Sequence, residues 1–122
     1  MMITMQPETM LKRGDVALAL FPNTDLVSAK TRPVVVIQAN NLQTQLSQII
    51  VAMVTSQMLR AGHPSRVTVL LNSGAGQQSG LLTDSVVMTD NLATVELLAI
   101  QRVIGSLSME NIDTALRHTL GL

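Results

Sequence analysis

The chain has 122 residues, 47% of them hydrophobic, and its eight lysines and arginines are matched by eight aspartates and glutamates, for a net charge of zero. That length allows one domain with a single core, and the charge balance means that any positive patch must be local rather than a bulk property. The absence of cysteine excludes disulfides, thiolate metal sites and a thiol nucleophile, and a single aromatic, Phe21, excludes a platform of stacked aromatic rings.

His63 and His118 are the only histidines, too few for a histidine-rich metal site. No apolar run approaches the length of a membrane span, and 1–11 lacks a basic start followed by an apolar stretch, so a soluble cytoplasmic protein is expected. Residues 1–11 have no clear period and read as a tail. Asp15–Phe21 reads as a strand, and Pro22–Lys30, with Asn23, Asp25 and Ser28, reads as a loop. Val34–Gln38 is a strand whose apolar run suits a buried position. Pro33 just before it suits a strand's first residue, which would put Arg32 at a loop–strand junction. A guanidinium held there is well placed to meet a phosphate with fixed geometry.

Ile49–Val54 is a further apolar strand ending at Thr55-Ser56. Arg66–Leu71 alternates as a strand, and Asn72–Gly80, with three glycines, reads as a flexible connection. Asp84–Thr89 and Ile100–Ile104 are two more strands. At the end, Ser108 is a candidate N-cap. Ile112, Ala115, Leu116, Thr119 and Leu120 fall on one helical face, and Gly121 can terminate the helix. Short strands separated by turns, closed by an amphipathic helix, predict a mainly β fold, a small barrel or sandwich. Taken alone, Thr55-Ser56 is also what a strand-end turn looks like. Asp90 before Asn91 is likewise what an Asx turn looks like, and Lys12-Arg13 what a solvated charge pair looks like.

In order and spacing, several segments resemble the MazF/PemK/Kid family of toxin endoribonucleases, in its short-loop PemK-like branch. They are Arg13-Gly14-Asp15-Val16, Phe21-Pro22 with Thr24-Asp25, Lys30-Thr31-Arg32-Pro33-Val34, Thr55-Ser56-Gln57, Gly80-Leu81, Asp84-Ser85-Val86-Val87, Asp90, and Ile104-Gly105-Ser106-Leu107. The resemblance runs from Lys12 to Leu122. It implies an SH3-like β-barrel of the MazF/PemK/CcdB type with a C-terminal α-helix, assembled as a homodimer with a groove across the interface. It implies no cofactor and no metal, a cognate antitoxin as partner, and single-stranded mRNA as substrate, cut by the ribose 2′-OH. By the same resemblance Arg32, Thr55, Ser56 and Asp90 are the catalytic candidates, with Asp90 as a base. Lys12, Arg13, Lys30 and Gln57 are the RNA-binding candidates.

Two positions depart from the family pattern: Met88 and Asn91 stand where arginine and lysine are common. Regular alternation through Val86, Met88 and Asp90 would put Met88 on the same strand face as the acid. A barrel short of two cations there points to a second reading, a catalytically weak or inactive module kept for protein or antitoxin binding. A third reading, a gyrase poison on the same barrel, lacks support in a C-terminus without tryptophan.

Overall fold

The computed structural model describes residues 11–122. The predicted tail lies outside these except for Leu11, which packs against the core. Six strands form one antiparallel sheet: β1 (Asp15–Pro22), β2 (Ala29–Val36), β3 (Gln48–Thr55), β4 (Arg66–Val69), β5 (Ser85–Glu96) and β6 (Ile100–Ser106). Their spatial order is β4-β5-β3-β2-β1-β6. Two helices complete the architecture, α1 (Gly74–Ser79) and α2 (Glu110–Leu120). The mainly β class and the C-terminal helix are as the sequence predicts. Among the described residues no helix is long and apolar enough to cross a membrane.

The central strands are apolar without interruption because both faces of the sheet are buried. Alternate residues of β2 divide between two clusters: Val34 and Val36 pack with Ala17, Ala19, Phe21 and Met53, while Val35 packs with Val16, Val54 and Val87. β1 also touches β5, which is not its neighbour in the sheet, so the sheet is curled around the first cluster. Helix α2 lies over the second cluster through Ile112 and Leu116. Gly121 ends that helix in the left-handed region (φ 71°). Ser108 stands one place outside the cap position, held by Met109, and accepts from the Glu110 N–H at 3.4 Å. Leu120, predicted on the apolar stripe, is exposed.

Three sequence expectations are corrected. Strand β2 begins at Ala29, not Val34, because it continues as a hairpin with β1 from Val16↔Val35 to Pro22↔Ala29. Arg32 and Pro33 are therefore inside a strand. The β3 side of β2 is paired only from Val34 to Val36, so at Pro33 that side is an edge, where a residue without an N–H is tolerated. The glycine-containing 72–80 segment is not a flexible connection: residues 74–79 form α1. The Ser73 hydroxyl accepts from the Gly76 N–H at 3.0 Å, and Gly80 closes the helix at φ 73°.

Third, β5 does not end at Thr89. It runs on to Glu96 through a wide bulge, since Met53 pairs with Met88 while the adjacent Ala52 pairs with Leu92. Thr89, Asp90 and Asn91 are thus unmatched on β3. Their local partners hold them. The Thr89 hydroxyl donates to the Ser65 carbonyl at 2.6 Å and lies 2.7 Å from the Thr119 hydroxyl.

Candidate functional site

The ladder between β2 and β3 stops at Val34↔Met53, and beyond it the two strands part. A cleft of about 440 Å³ opens there, lined on the β2 side by Lys30, Thr31, Arg32 and Pro33. Val54, Thr55, Ser56 and Gln57 line it from the β3 side. The structure therefore brings together five of the predicted site residues: Arg32, Thr55, Ser56, Lys30 and Gln57. They meet because a proline-bearing edge of β2 faces the exit of β3.

Arg32 is half-buried. Its Nη2 donates to the Asn23 Oδ1 at 3.1 Å, and its Nε is buried without a hydrogen-bond partner. A buried guanidinium N–H left unpaired costs free energy, so the position favours an anionic ligand that can accept from it. Asn23 is itself held by the β1–β2 turn: its side-chain amide donates to the Ser28 hydroxyl, which donates to Asp25 at 2.6 Å. Asp25 also accepts from the Val27 and Ser28 N–H groups. These bonds, the one from the Ser28 hydroxyl foremost, bring its pKa down to about 2. Thr55 is buried, and its oxygen accepts from the Gln57 N–H at 3.2 Å. That bond occupies an acceptor lone pair and leaves the hydroxyl proton free to donate.

Asp90, Lys12 and Arg13 are not brought to the cleft. Asp90 lies in the unmatched bulge of β5, beyond the Met53↔Met88 pair, and does not line the cleft. It accepts a two-pronged bond from Arg66 (Nη2 at 2.9 Å, Nε at 3.4 Å), which holds its carboxyl below the usual range. Neither the Asx turn nor a base beside Arg32 describes it within one protomer. Arg13 ties the sheet to α2 by an ion pair to Asp113 at 2.6 Å, and the Lys12 backbone N–H donates to Asp15.

The expected face of Met88 is also corrected. Met88 is 4% exposed and sits in the first core cluster. Asn91 donates to the Met53 sulfur at 3.4 Å. Neither side chain lines the cleft.

The cleft also contains residues the sequence reading passed over. Arg102 on β6 and the hydroxyls of Thr83 and Ser85 line it, with an apolar floor of Leu18, Pro33, Leu81 and Ile104. An arginine inside the strand Ile100–Ile104, beside Gln101, was the available signal. Among the described residues, Arg13 and Arg66 are in ion pairs while Lys30, Arg32 and Arg102 are not. Of the described residues, no carboxylate lines the cleft. A neutral protein thus presents a local cationic site whose lining also holds five hydroxyl-bearing residues, Thr31, Thr55, Ser56, Thr83 and Ser85.

Residues 12–120 match a family described as PemK-like, MazF-like toxins of type II toxin–antitoxin systems. Among solved structures, a mycobacterial endoribonuclease in complex with its cognate antitoxin superposes with a TM-score of 0.71 at 21% identity, covering 92% of this chain and 96% of the other. The Mycobacterium tuberculosis toxin MazF-mt6 gives 0.68 at 24% identity over 88% and 97%. A MazE–MazF structure from Deinococcus radiodurans gives 0.63 at 16% identity over 92% and 96%.

Proposed function

The chain belongs to the PemK-like, MazF-like toxins of type II toxin–antitoxin systems, and on that footing we propose that it is an endoribonuclease that cuts single-stranded mRNA at the cleft between β2 and β3. The observation that carries this is Arg32, which lines one cleft with Thr55-Ser56 and whose buried Nε has, among the described residues, no partner; of those residues three cations and no carboxylate line the cleft.

In the reaction the ribose 2′-oxygen attacks the adjacent phosphorus and the bond to the 5′-oxygen breaks. The products are a 2′,3′-cyclic phosphate and a 5′-OH, the departing oxygen gaining the proton that the 2′-OH loses. Negative charge grows on the phosphoryl oxygens in the transition state, and a preorganised guanidinium opposite them lowers the barrier. Arg32 supplies that charge, with its Nε–H free of any partner among the described residues while Nη2 stays on Asn23. The Thr55 hydroxyl, its acceptor side occupied by Gln57, donates to a second phosphoryl oxygen, and the exposed Ser56 offers a third donor. Lys30 and Gln57 hold flanking RNA. Neither hydroxyl serves as nucleophile, because the RNA brings its own. Among the described residues no carboxylate or histidine lines the cleft, so charge stabilisation rather than a side-chain base from them carries the rate in this protomer.

The reading includes a homodimer and neutralisation in the cytoplasm by an antitoxin laid across the cationic cleft. Fully exposed apolar side chains such as Val27, Leu59, Leu82 and Leu98 support protein contacts of this kind. The second reading, an inactive binding module, drew on the missing cations at Met88 and Asn91; that neither side chain lines the cleft supports the active reading.

The test is incubation of the purified protein with a long single-stranded RNA in EDTA, followed by mapping of the new ends. Cleavage at defined sites leaving 5′-OH ends is expected. Intact RNA, or ends carrying 5′-phosphate, overturns the proposal.

A further inference from the structure

Strand alternation separates the cleft into two parts. Arg32 shares its face with Val34, whereas Pro33 shares the opposite face with Val35, and Pro33 pairs with Leu18, which pairs in turn with Arg102. Three neighbouring strands therefore place Pro33, Leu18 and Arg102 in one row on one face, next to Ile104. The β6 wall is pinned at this point. A bulge in the β1–β6 ladder lets the Gln101 side chain reach over β1 and donate to the Thr31 hydroxyl at 3.3 Å. Gly80 packs so closely on the Ile104 carbonyl that no Cβ fits between them. Arg102 is exposed and, among the described residues, has neither a hydrogen bond nor an ion pair from its guanidinium.

We propose that this part of the cleft seats one nucleobase of the bound RNA, laid on the apolar row of Leu18, Pro33 and Ile104 and covered by the planar guanidinium of Arg102, which acts as a base-binding residue. The inference rests on the RNA reading above and names how that site takes a base. A base needs a flat apolar or π surface, and in this chain no aromatic supplies one: Phe21 is buried in the core. Guanidinium planes are the other stacking surface that proteins offer to unstacked bases. The cleft volume of about 440 Å³ is within the range of single small-ligand sites, roughly 300–1,000 Å³. The Thr83 and Ser85 hydroxyls and the Gln57 amide stand around it as edge partners, and the site is continuous with Arg32 and Thr55.

The experiment uses a short, defined single-stranded RNA, 2′-O-methylated throughout so that it is not cut, and chosen by gel shift as the tightest binder of a series. Its dissociation constant is measured with the parent protein, Arg102→Ala and Arg102→Lys, against salt, and with a single abasic nucleotide moved along the strand. Loss of one stacked base corresponds to a weakening of about 5- to 100-fold. Arg102→Ala is expected to show it, and Arg102→Lys to recover little of it. The slope of log affinity against log salt should fall by clearly less than one phosphate contact. At one abasic position, and only there, the Ala variant and the parent should bind alike. Full recovery by lysine with a slope lower by about one contact makes Arg102 a phosphate holder and overturns the proposal. An undiminished affinity of Arg102→Ala, or an equal loss at every abasic position, also overturns it. A parent that binds this RNA but leaves the unmethylated strand of the same sequence intact refutes the cleavage reading while leaving the base site standing. A parent that binds no RNA refutes both.

Discussion

Met88→Arg should unfold the protein or bring it close to unfolding, and should give no gain in RNA binding. Met88 is 4% exposed, pairs with Met53 on one side and Arg66 on the other, and packs with Val34, Val86 and Met53. Replacing it forfeits most of the ~1.5–3 kcal/mol associated with burying such a side chain. The incoming guanidinium then lacks a partner. The nearby carboxylate of Asp90 is already engaged by Arg66, and the Arg60 guanidinium sits 3.6 Å from the Met88 sulfur as a like charge. An uncompensated buried charge costs roughly 3–5 kcal/mol. The sum, about 4–8 kcal/mol, is comparable to the whole stability of a domain, about 5–15 kcal/mol. Met88→Leu, which keeps volume and apolarity, should cost under about 1.5 kcal/mol. Urea unfolding followed by circular dichroism measures both, with RNA titration of whatever folded arginine variant remains. An arginine variant as stable as the parent, with tighter and more salt-sensitive RNA binding, would refute the reasoning and return Met88 to the RNA surface.

Arg32→Ala should lower the cleavage rate by roughly 100- to 1,000-fold or more, as loss of an oxyanion donor does. It should not lower the melting temperature, because a buried unpaired N–H goes with it. Arg32→Lys should recover little, since an ammonium does not reproduce the fork; single-turnover cleavage assays decide both. Asp90→Asn should leave cleavage near the parental rate while removing the ion pair to Arg66. The native carboxyls of Asp25, Asp90 and Asp113 all sit below the ordinary 3.8. Their stabilisation is therefore complete above about pH 4 and is lost as pH falls through the lowered values, to about 2 for Asp25. Asn at 90 should flatten that acid limb of a melting-temperature profile. Gly80→Ala should destabilise by about 2–5 kcal/mol, combining left-handed backbone strain with a clash on Ile104, and chemical unfolding reads it directly.

What could be read from the sequence was what local chemistry decides. Val34–Val36 is a strand because three branched apolar residues pack on both faces of a sheet. The C-terminal helix follows from its period and from Gly121. The missed elements depend on contacts made far along the chain. Residues 74–79, Gly-Ala-Gly-Gln-Gln-Ser, have poor helix propensity and too few residues to nucleate alone. They are helical because Ser73 and Gly80 cap them, and because Gly76 and Ser79 pack directly on the backbones of Leu70 and Gly105, where any Cβ at the glycines would collide. The bulge at 89–91 is likewise set by Ser65, Arg66, Thr119 and Met53, none adjacent in sequence, and an alternation argument through Met88 failed there.

The zero net charge, which at first sight argues against a polyanion partner, has a structural resolution. Two of the six arginines, Arg13 and Arg66, are neutralised by Asp113 and Asp90, none of which lines the cleft. The Asp25 carboxylate is turned inward on its own loop by Ser28 and two backbone N–H groups, where it supports Asn23 and through it Arg32. Acids are thus spent on structure, and among the described residues Lys30, Arg32 and Arg102 have no carboxylate partner in their shared cleft. At physiological ionic strength the screening length is about 8 Å, so a bound strand responds to charges within about that distance rather than to the total. Three uncompensated cations within one cleft act on a phosphate chain as a basic protein would, while the rest of the surface offers it no general attraction. Binding of this kind depends on the strand's fit to the cleft, and that is the physical basis on which a neutral chain can act selectively on RNA.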